Sequence, residues 1–168
     1  GNSSIKRIIM EHGTNHIYAL VNDSPRAIYI STDLGENFEL LVSLDETWGI
    51  PWEEISHFDI FTSRYFEDHI YLINDMNFYR ISNNELILIS SLPGFYSGDV
   101  LLTGGYGNSA TFLYAYVDGQ IFKSINGGSA WIHKGTAPSS WWWYNGFNSS
   151  NIERDEIFIG GMELFGSS

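Results

Sequence analysis

The octapeptide Ser31-Thr32-Asp33-Leu34-Gly35-Glu36-Asn37-Phe38 decides the fold, because a related one, Ser124-Ile125-Asn126-Gly127-Gly128-Ser129-Ala130-Trp131, returns ninety-three residues later. Both follow the pattern Ser-x-(Asp/Asn)-x-Gly-x-x-aromatic, and an apolar, β-rich run precedes and follows each of them. A short Asp or Asn side chain accepts hydrogen bonds from backbone N–H groups further along a turn, and glycine adopts the positive φ that a reversal needs. The pattern therefore predicts two hairpins that share one kind of turn.

The chain repeats around these turns. Four apolar runs, each ending in a turn serine, fall in register: Ala27–Ser31, Asn77–Ser82, Gln120–Ser124 and Glu163–Ser167. Their serines are 51, 42 and 43 residues apart, a spacing typical of propeller blades. A second apolar run precedes each of these, and a candidate innermost strand lies further upstream, at Ile5–Met10, Ile55–Phe61, Asp99–Thr103 and Trp142–Phe147.

This repeat predicts a single all-β domain over residues 1–168, a β-propeller of four-stranded antiparallel blades. We expect blades at about 3–45, 53–92 and 97–136 and an incomplete one at 141–168, or about 3.5 blades in all. Because the repeat stops inside a turn, we expect a fragment, or one component of a ring that the remaining blades of the parent protein or a second chain would close.

The second blade lacks a clear copy of the octapeptide. Its turn, Ser82-Asn83-Asn84-Glu85-Leu86, keeps an asparagine but has neither the glycine nor the aromatic residue. It is either a degenerate copy or an ordinary turn.

The two octapeptides resemble the Asp-box of the bacterial neuraminidase repeat, which occurs in sialidases, sortilin-type receptor domains, xyloglucan-cleaving propellers and many secreted bacterial proteins. The first copy matches this motif at Ser31, Asp33, Gly35 and Phe38, and the second matches at Ser124, Gly128 and Trp131 with Asn126 in place of aspartate. The resemblance implies propeller blades, with the boxes on the blade periphery and away from any active site. It also implies a secreted or cell-surface protein, of bacterial origin.

Composition excludes several classes of partner and cofactor. A formal net charge of −12 with only eight Lys and Arg residues offers no basic surface to a nucleic acid or to an anionic membrane. No apolar run is long enough to insert into a membrane as a spanning helix. The chain has no cysteine, and its five histidines are scattered without a metal-ligand spacing, so we expect no metal and no cofactor.

Aromatic residues in two predicted loops are the candidate ligand-binding residues. One group is Trp141, Trp142, Trp143 and Tyr144, and the other is Trp48 and Trp52. Exposed tryptophan faces stack on sugar rings, whereas the alternative is that these rings pack between blades like other core aromatics.

Carboxylates give no clear catalytic pair. The adjacent pairs lie in or beside predicted loops, where they are expected to be solvated: Asp45/Glu46, Glu53/Glu54, Glu67/Asp68 and Asp155/Glu156. Asp59 and Asp99 are better placed for a propeller axis, yet we assign no catalytic residue. The sequence favours a non-catalytic propeller that binds a glycan or a protein. Two alternatives remain: part of a glycoside hydrolase that acts on a polysaccharide, which facing carboxylates along an aromatic groove would favour, or a scaffold, which aromatics buried between blades would favour.

Overall fold

The computed structural model describes residues 4–23, 25–45, 57–63, 69–74, 77–94, 99–104, 112–137, 144–149 and 157–161. Every sheet within these ranges is antiparallel, and we name the sheets blades one to four in chain order. Blade one consists of β1 Ile5–Met10, β2 Ile17–Val21, β3 Ala27–Ser31 and β4 Glu39–Ser43. Blade two consists of β5 Phe58–Thr62, β6 Ile70–Asn74, β7 Asn77–Ser82 and β8 Glu85–Ser91. Blade three consists of β9 Val100–Gly104, β10 Leu113–Val117, β11 Gln120–Ser124 and β12 Ile132–Thr136. Blade four is described as two strands, β13 Tyr144–Ser149 and β14 Ile157–Gly161.

Each of the first three blades is a meander in which the strands pair in chain order. A register shift recurs between the third and fourth strands of every one of them, at Ile28/Tyr29, Phe78/Tyr79 and Ile121/Phe122. Such bulges increase the twist of a sheet. Three sheets with the same strand order and the same irregularity show that the blades are true structural repeats.

The blades pack face to face in chain order, with β1 against β5, β5 against β9, and β9 against β13. We call the face that a blade turns toward the next blade its trailing face, and the opposite one its leading face. The trailing face of blade one, with Tyr18 and Leu20, packs on Phe58 and Ile60 of blade two, and all four side chains are fully buried. Because the first strand of each blade lines the same side of this stack, the fold is a partial β-propeller with an axis along β1, β5, β9 and β13.

The next two interfaces repeat this arrangement. Tyr71, Ile73 and Phe78 of blade two pack on a leading face of blade three that includes Leu102 and Phe122. Blade three in turn packs Tyr114 and Tyr116 against Phe147 of blade four. Apolar burial between sheets therefore holds the described part of the chain together. No helix in the described ranges is long and apolar enough to cross a membrane.

The turn of blade two proves to be an ordinary one. Ser82 pairs directly with Glu85, and the two residues between them, Asn83 and Asn84, have φ of 54° and 62°. Two central residues with positive φ define a type I′ hairpin turn, which asparagine tolerates well. This turn has two residues between its paired strands and is thus shorter than the octapeptide turns.

The pairing register also corrects the serine alignment. Ser31 pairs with Ile17 and Ser124 with Leu113, the first residues of their second strands, whereas Ile70 pairs with Ile81. Ile81, and not Ser82, is thus the structural equivalent of the two turn serines.

Candidate functional site

The first octapeptide turn is held by two side chains, Ser31 and Asp33. The Ser31 hydroxyl donates to Asp33 Oδ1 at 2.7 Å and accepts from the Gly35 N–H at 2.8 Å. Asp33 Oδ1 accepts from the Asn37 N–H at 2.9 Å, and Asp33 Oδ2 accepts from the Asn37 side-chain amide at 2.7 Å. These donors, first the two groups of Asn37 and then the Ser31 hydroxyl, lower the pKa of Asp33 to about 2.

The second octapeptide turn repeats this network with an asparagine. The Ser124 hydroxyl donates to Asn126 Oδ1 at 2.9 Å and accepts from the Gly128 N–H at 2.9 Å. Asn126 Oδ1 accepts from the Ala130 N–H, also at 2.9 Å. Ala130 stands where the first turn has Asn37 and carries no side-chain donor, so a single acceptor oxygen suffices here. This explains why asparagine replaces aspartate in the second copy.

Two successive residues with positive φ reverse the chain in both turns. They are Leu34 and Gly35 in the first, with φ of 61° and 93°, and Gly127 and Gly128 in the second, with φ of 66° and 85°. Leucine rarely adopts this conformation, so Leu34 is locally strained. Its side chain is exposed, and the hydrogen bonds that Ser31 and Asp33 make across the turn stabilise this conformation.

The two turns differ in what surrounds them. Trp131 is 9% exposed, and its ring lies edge-on to Phe78 of blade two with a centroid distance of 5.1 Å. The Trp131 indole N–H donates to Ser90 Oγ at 3.1 Å, and the Ser90 hydroxyl donates to the Gly128 carbonyl. Phe38, at the matching position of the first turn, is 42% exposed. The second turn therefore connects blade three to blade two, whereas Phe38 of the first turn remains partly exposed to solvent.

A buried carboxylate links three blades on the axial side. Asp59 on β5 is 1% exposed, and its Oδ2 accepts from Arg7 Nη1 on β1 at 2.5 Å and from the Leu102 N–H on β9 at 2.7 Å. Its Oδ1 accepts from the Ile60 N–H at 2.9 Å. One side chain thus connects the innermost strands of blades one, two and three.

Burial dominates the electrostatics of this group and raises the pKa of Asp59 to about 6. The Arg7 guanidinium, the N–H groups of Leu102 and Ile60 and the charge of Lys6 all act in the opposite direction. The hydrogen-bond partners of this buried carboxyl group are groups of the protein. Asp59 therefore has a structural role, in which it connects strands of different blades. Asp99 contributes a backbone carbonyl, which accepts from the Asp118 N–H at 3.0 Å.

A second buried carboxylate, which sequence reasoning missed, organises the hairpin loop of blade one. Glu11 is 1% exposed, and its Oε2 accepts from the Thr14 hydroxyl at 3.1 Å, His16 Nδ1 at 3.0 Å and the Tyr18 hydroxyl at 3.2 Å. A lone glutamate beside a turn is usually solvated, so the sequence carries no signal for this cluster. In the described ranges, no group of three or more acidic or histidine side chains is placed to hold a metal ion.

The expectation that Asp45 is a solvated loop carboxylate is wrong. Arg26, whose side chain is 3% exposed, donates from Nε to Asp45 Oδ1 at 2.6 Å, and its backbone N–H donates to Asp45 Oδ2 at 2.8 Å. The pair closes the end of blade one where β3 begins and β4 has just ended. Asp45 is therefore committed to a structural ion pair.

The aromatic residues predicted to bind ligand fall largely outside the described residues: Trp48, Trp52, Trp141, Trp142 and Trp143. Tyr144 is the first residue of β13, where its backbone pairs with Gly161. Among described aromatics, Tyr71, Phe78 and Trp131 lie between blades.

The fold is a partial β-propeller. Its described polar clusters connect the strands and turns of the blades. No protein-family model matches the chain. The chain is 30% identical over 89 residues to the vacuolar protein sorting/targeting protein 10 of Komagataella phaffii, an alignment that covers 51% of this chain and 5% of that protein. The chain therefore spans a small part of the length of this relative. Among solved structures, it is similar to YCF48 from Cyanidioschyzon merolae, with a TM-score of 0.49, 13% identity, and coverage of 95% of this chain and 67% of that one.

Proposed function

We propose that this chain is a non-catalytic propeller segment that binds a protein ligand, in a secreted, cell-surface or secretory-pathway protein. The observation that carries this proposal is the similarity over 89 residues to a protein named for sorting and targeting. The packing of Tyr71, Phe78 and Trp131 between blades is the observation that favours the remaining alternative, a structural scaffold.

Charge indicates what kind of protein ligand fits. The chain has a net charge of −12 and eight Lys and Arg residues, and among the residues that the structure describes Arg7 and Arg26 are paired with carboxylates. Lys123 is largely buried over the rings of Phe112 and Tyr114. The surrounding field is thus strongly negative, and it would attract a segment rich in lysine and arginine.

The assignment of the two octapeptide turns as Asp-boxes belongs to this proposal. The shared hydrogen-bond network of Ser31 and Asp33 with that of Ser124 and Asn126 supports it. So does the position of both turns between the third and fourth strands, at the outer part of each blade. The division of residues 1–168 into blades at about 3–45, 53–92, 97–136 and 141–168 is proposed on the same basis.

A glycan ligand is the second candidate, and the run Trp141-Trp142-Trp143 favours it. The sequence predicts a loop here, and exposed tryptophan faces suit the stacking of sugar rings. Cleavage of a polysaccharide would require two carboxyl groups that flank the glycosidic bond, one of which acts as the general acid. Asp59, with its raised pKa, is enclosed by Arg7 and by the backbone of Leu102 and thus is a poor acid for a substrate outside the core.

Binding measurements on the purified chain separate these candidates. We expect immobilised chain to bind peptides of graded lysine and arginine content, with an affinity that increases with their charge and decreases with added salt. We expect no binding of xyloglucan oligosaccharides and no release of smaller fragments from them. Trp142→Ala should leave peptide binding unchanged.

The protein-ligand proposal would be overturned if the chain bound the oligosaccharides but no peptide, and if Trp142→Ala abolished that oligosaccharide binding. The ligand would then be a glycan. Fragment release would establish the hydrolase alternative.

A further inference from the structure

The second octapeptide turn contains the dipeptide Asn126-Gly127, in which a side-chain amide stands next to an unhindered backbone N–H group. Loss of ammonia from an asparagine begins when the backbone nitrogen of the next residue attacks the side-chain carbonyl carbon. Glycine permits this attack best, because it has no Cβ atom to obstruct the approach. The chain has one other such dipeptide, Asn145-Gly146, and it lies within the strand β13.

The reacting groups of this turn are accessible. Asn126 is exposed, and a Cβ atom at Gly127 would meet no neighbour within 4 Å. In the part of the chain that the structure describes, neither the Gly127 N–H nor the side-chain NH2 group of Asn126 makes a hydrogen bond. Water therefore reaches both the nitrogen that attacks and the nitrogen that departs.

The carbonyl oxygen of the same side chain is held by two donors. Asn126 Oδ1 accepts from the Ser124 hydroxyl and from the Ala130 N–H, each at 2.9 Å. Attack on the side-chain carbon places negative charge on this oxygen, and donors that are already directed at it stabilise that charge. Ser124 is itself fixed, because it is fully buried and accepts from the Gly128 N–H at 2.9 Å. The turn thus favours reaction at Asn126.

The first octapeptide turn shows that aspartate fits this position. Asp33 Oδ1 accepts from the Ser31 hydroxyl and from the Asn37 N–H, the counterparts of the two donors in the second turn. An isoaspartate would instead add a carbon atom to the backbone of a turn in which Gly128 already lies against the ring of Phe78. The folded turn therefore favours aspartate as the product.

We propose that Asn126 is a site of spontaneous deamidation, which converts it into aspartate in the folded protein. The Gly127 nitrogen loses its proton to water or hydroxide and forms a bond to Cγ of Asn126, the bond from Cγ to Nδ2 breaks, and Nδ2 leaves as ammonia. Water then adds to Cγ of the resulting five-membered ring. The bond from Cγ to the Gly127 nitrogen breaks, and this nitrogen regains its proton. The net reaction consumes one water molecule and releases one ammonia.

Peptide mass spectrometry of the folded chain, incubated at mildly alkaline pH, tests this proposal. We expect the amide at position 126 to be replaced by a carboxyl group with time, and faster than the amide of Asn145, whose backbone is held in a paired strand. Ser124→Ala removes one of the two donors to Oδ1 and should slow the reaction about tenfold or more.

A second variant covers the case in which loss of the buried Ser124 hydroxyl prevents folding. Gly127→Ala meets no neighbouring atom, and its side chain should nearly stop the reaction by obstructing the attack. Gly119→Ala is the matched control: Gly119 also has positive φ and open space around it, but no asparagine precedes it. Its substitution should leave the rate at position 126 unchanged.

Electron-transfer fragmentation distinguishes aspartate from isoaspartate in the product. The proposal would be overturned by an Asn126 that keeps its amide in the folded chain, or by a product that is mainly isoaspartate. A folded Ser124→Ala variant that deamidates at the unmodified rate would overturn it as well. None of these outcomes bears on the proposed ligand, because the inference concerns the chemistry of one turn.

Discussion

Asp59→Ala is expected to lower the free energy of unfolding by about 3 kcal/mol near pH 5, because the buried N–H groups of Leu102 and Ile60 lose their acceptor. The arginine at position 7 loses its partner as well. Asp59→Asn keeps one acceptor oxygen and nearly the same volume, so it should lose less. Urea unfolding of the three proteins, followed by tryptophan fluorescence, measures these differences.

The same carboxyl group should make stability depend on pH. Burial raises the pKa of Asp59 from 3.8 in the unfolded chain to about 6 in the folded one. Between these values the folded protein retains a proton that the unfolded chain has released, so the contribution of this group to stability falls as pH rises from about 4 to about 6. The decrease is at most about 3 kcal/mol, and the loss caused by Asp59→Ala should shrink accordingly at pH 7. Asp59→Asn cannot titrate and should lack this part of the slope.

Parallel stability curves for the unmodified protein and Asp59→Asn across this pH range would contradict the pKa assignment. An Asp59→Ala variant as stable as the unmodified protein near pH 5 would show that Asp59 does not tie the three blades.

Gly128→Ala is expected to destabilise the protein by about 3 kcal/mol or more. Gly128 has φ of 85°, and a Cβ atom there would lie 2.0 Å from Cε1 of Phe78, which is fully buried. The substitution therefore adds a clash in the interface between blades two and three to the strain of a positive φ. Thermal or urea unfolding of the variant gives the loss directly.

Two other glycines separate the clash from the backbone strain. Gly35 occupies the same position in the first turn, where a Cβ atom would approach Ile17 Cδ1 no closer than 3.6 Å, and Gly127 has open space around it. Gly35→Ala and Gly127→Ala should each cost only about 1 kcal/mol, the usual effect of a side chain at positive φ. Equal losses for Gly128→Ala and Gly35→Ala would mean that Phe78 does not pack on the second turn.

The sequence predicted the fold well, because the features that specify it are local. Apolar runs and turn residues recur with blade spacing, and the predicted first strand Ile5–Met10 is β1. The predicted strand Asp99–Thr103 is observed one residue later, at Val100–Gly104. The predicted strands Ile55–Phe61 and Trp142–Phe147 begin outside the described residues and overlap the observed strands Phe58–Thr62 and Tyr144–Ser149. The serine alignment failed at Ser82 because a serine close to a turn does not reveal the pairing register, which depends on the number of residues between the strands.

The candidate site was much harder to predict, because its contacts are distant in sequence. Asp59 accepts hydrogen bonds from Arg7 and Leu102, which are 52 and 43 residues away in the sequence. No local sequence pattern predicts either contact. Phe38 and Trp131 hold the same place in one motif, yet only Trp131 is buried, since burial here is decided by the neighbouring blade.

The most direct test of the stacked-blade account is a nuclear Overhauser measurement between side chains of consecutive blades. The account predicts cross-peaks from the ring protons of Phe78 to the indole of Trp131 and to the α-protons of Gly128, because blade two packs on the octapeptide turn of blade three. It also predicts cross-peaks from the methyl groups of Leu20 to the ring of Phe58, since both belong to the core between blades one and two. Cross-peaks confined to pairs within single sheets, with none between consecutive sheets, would contradict it.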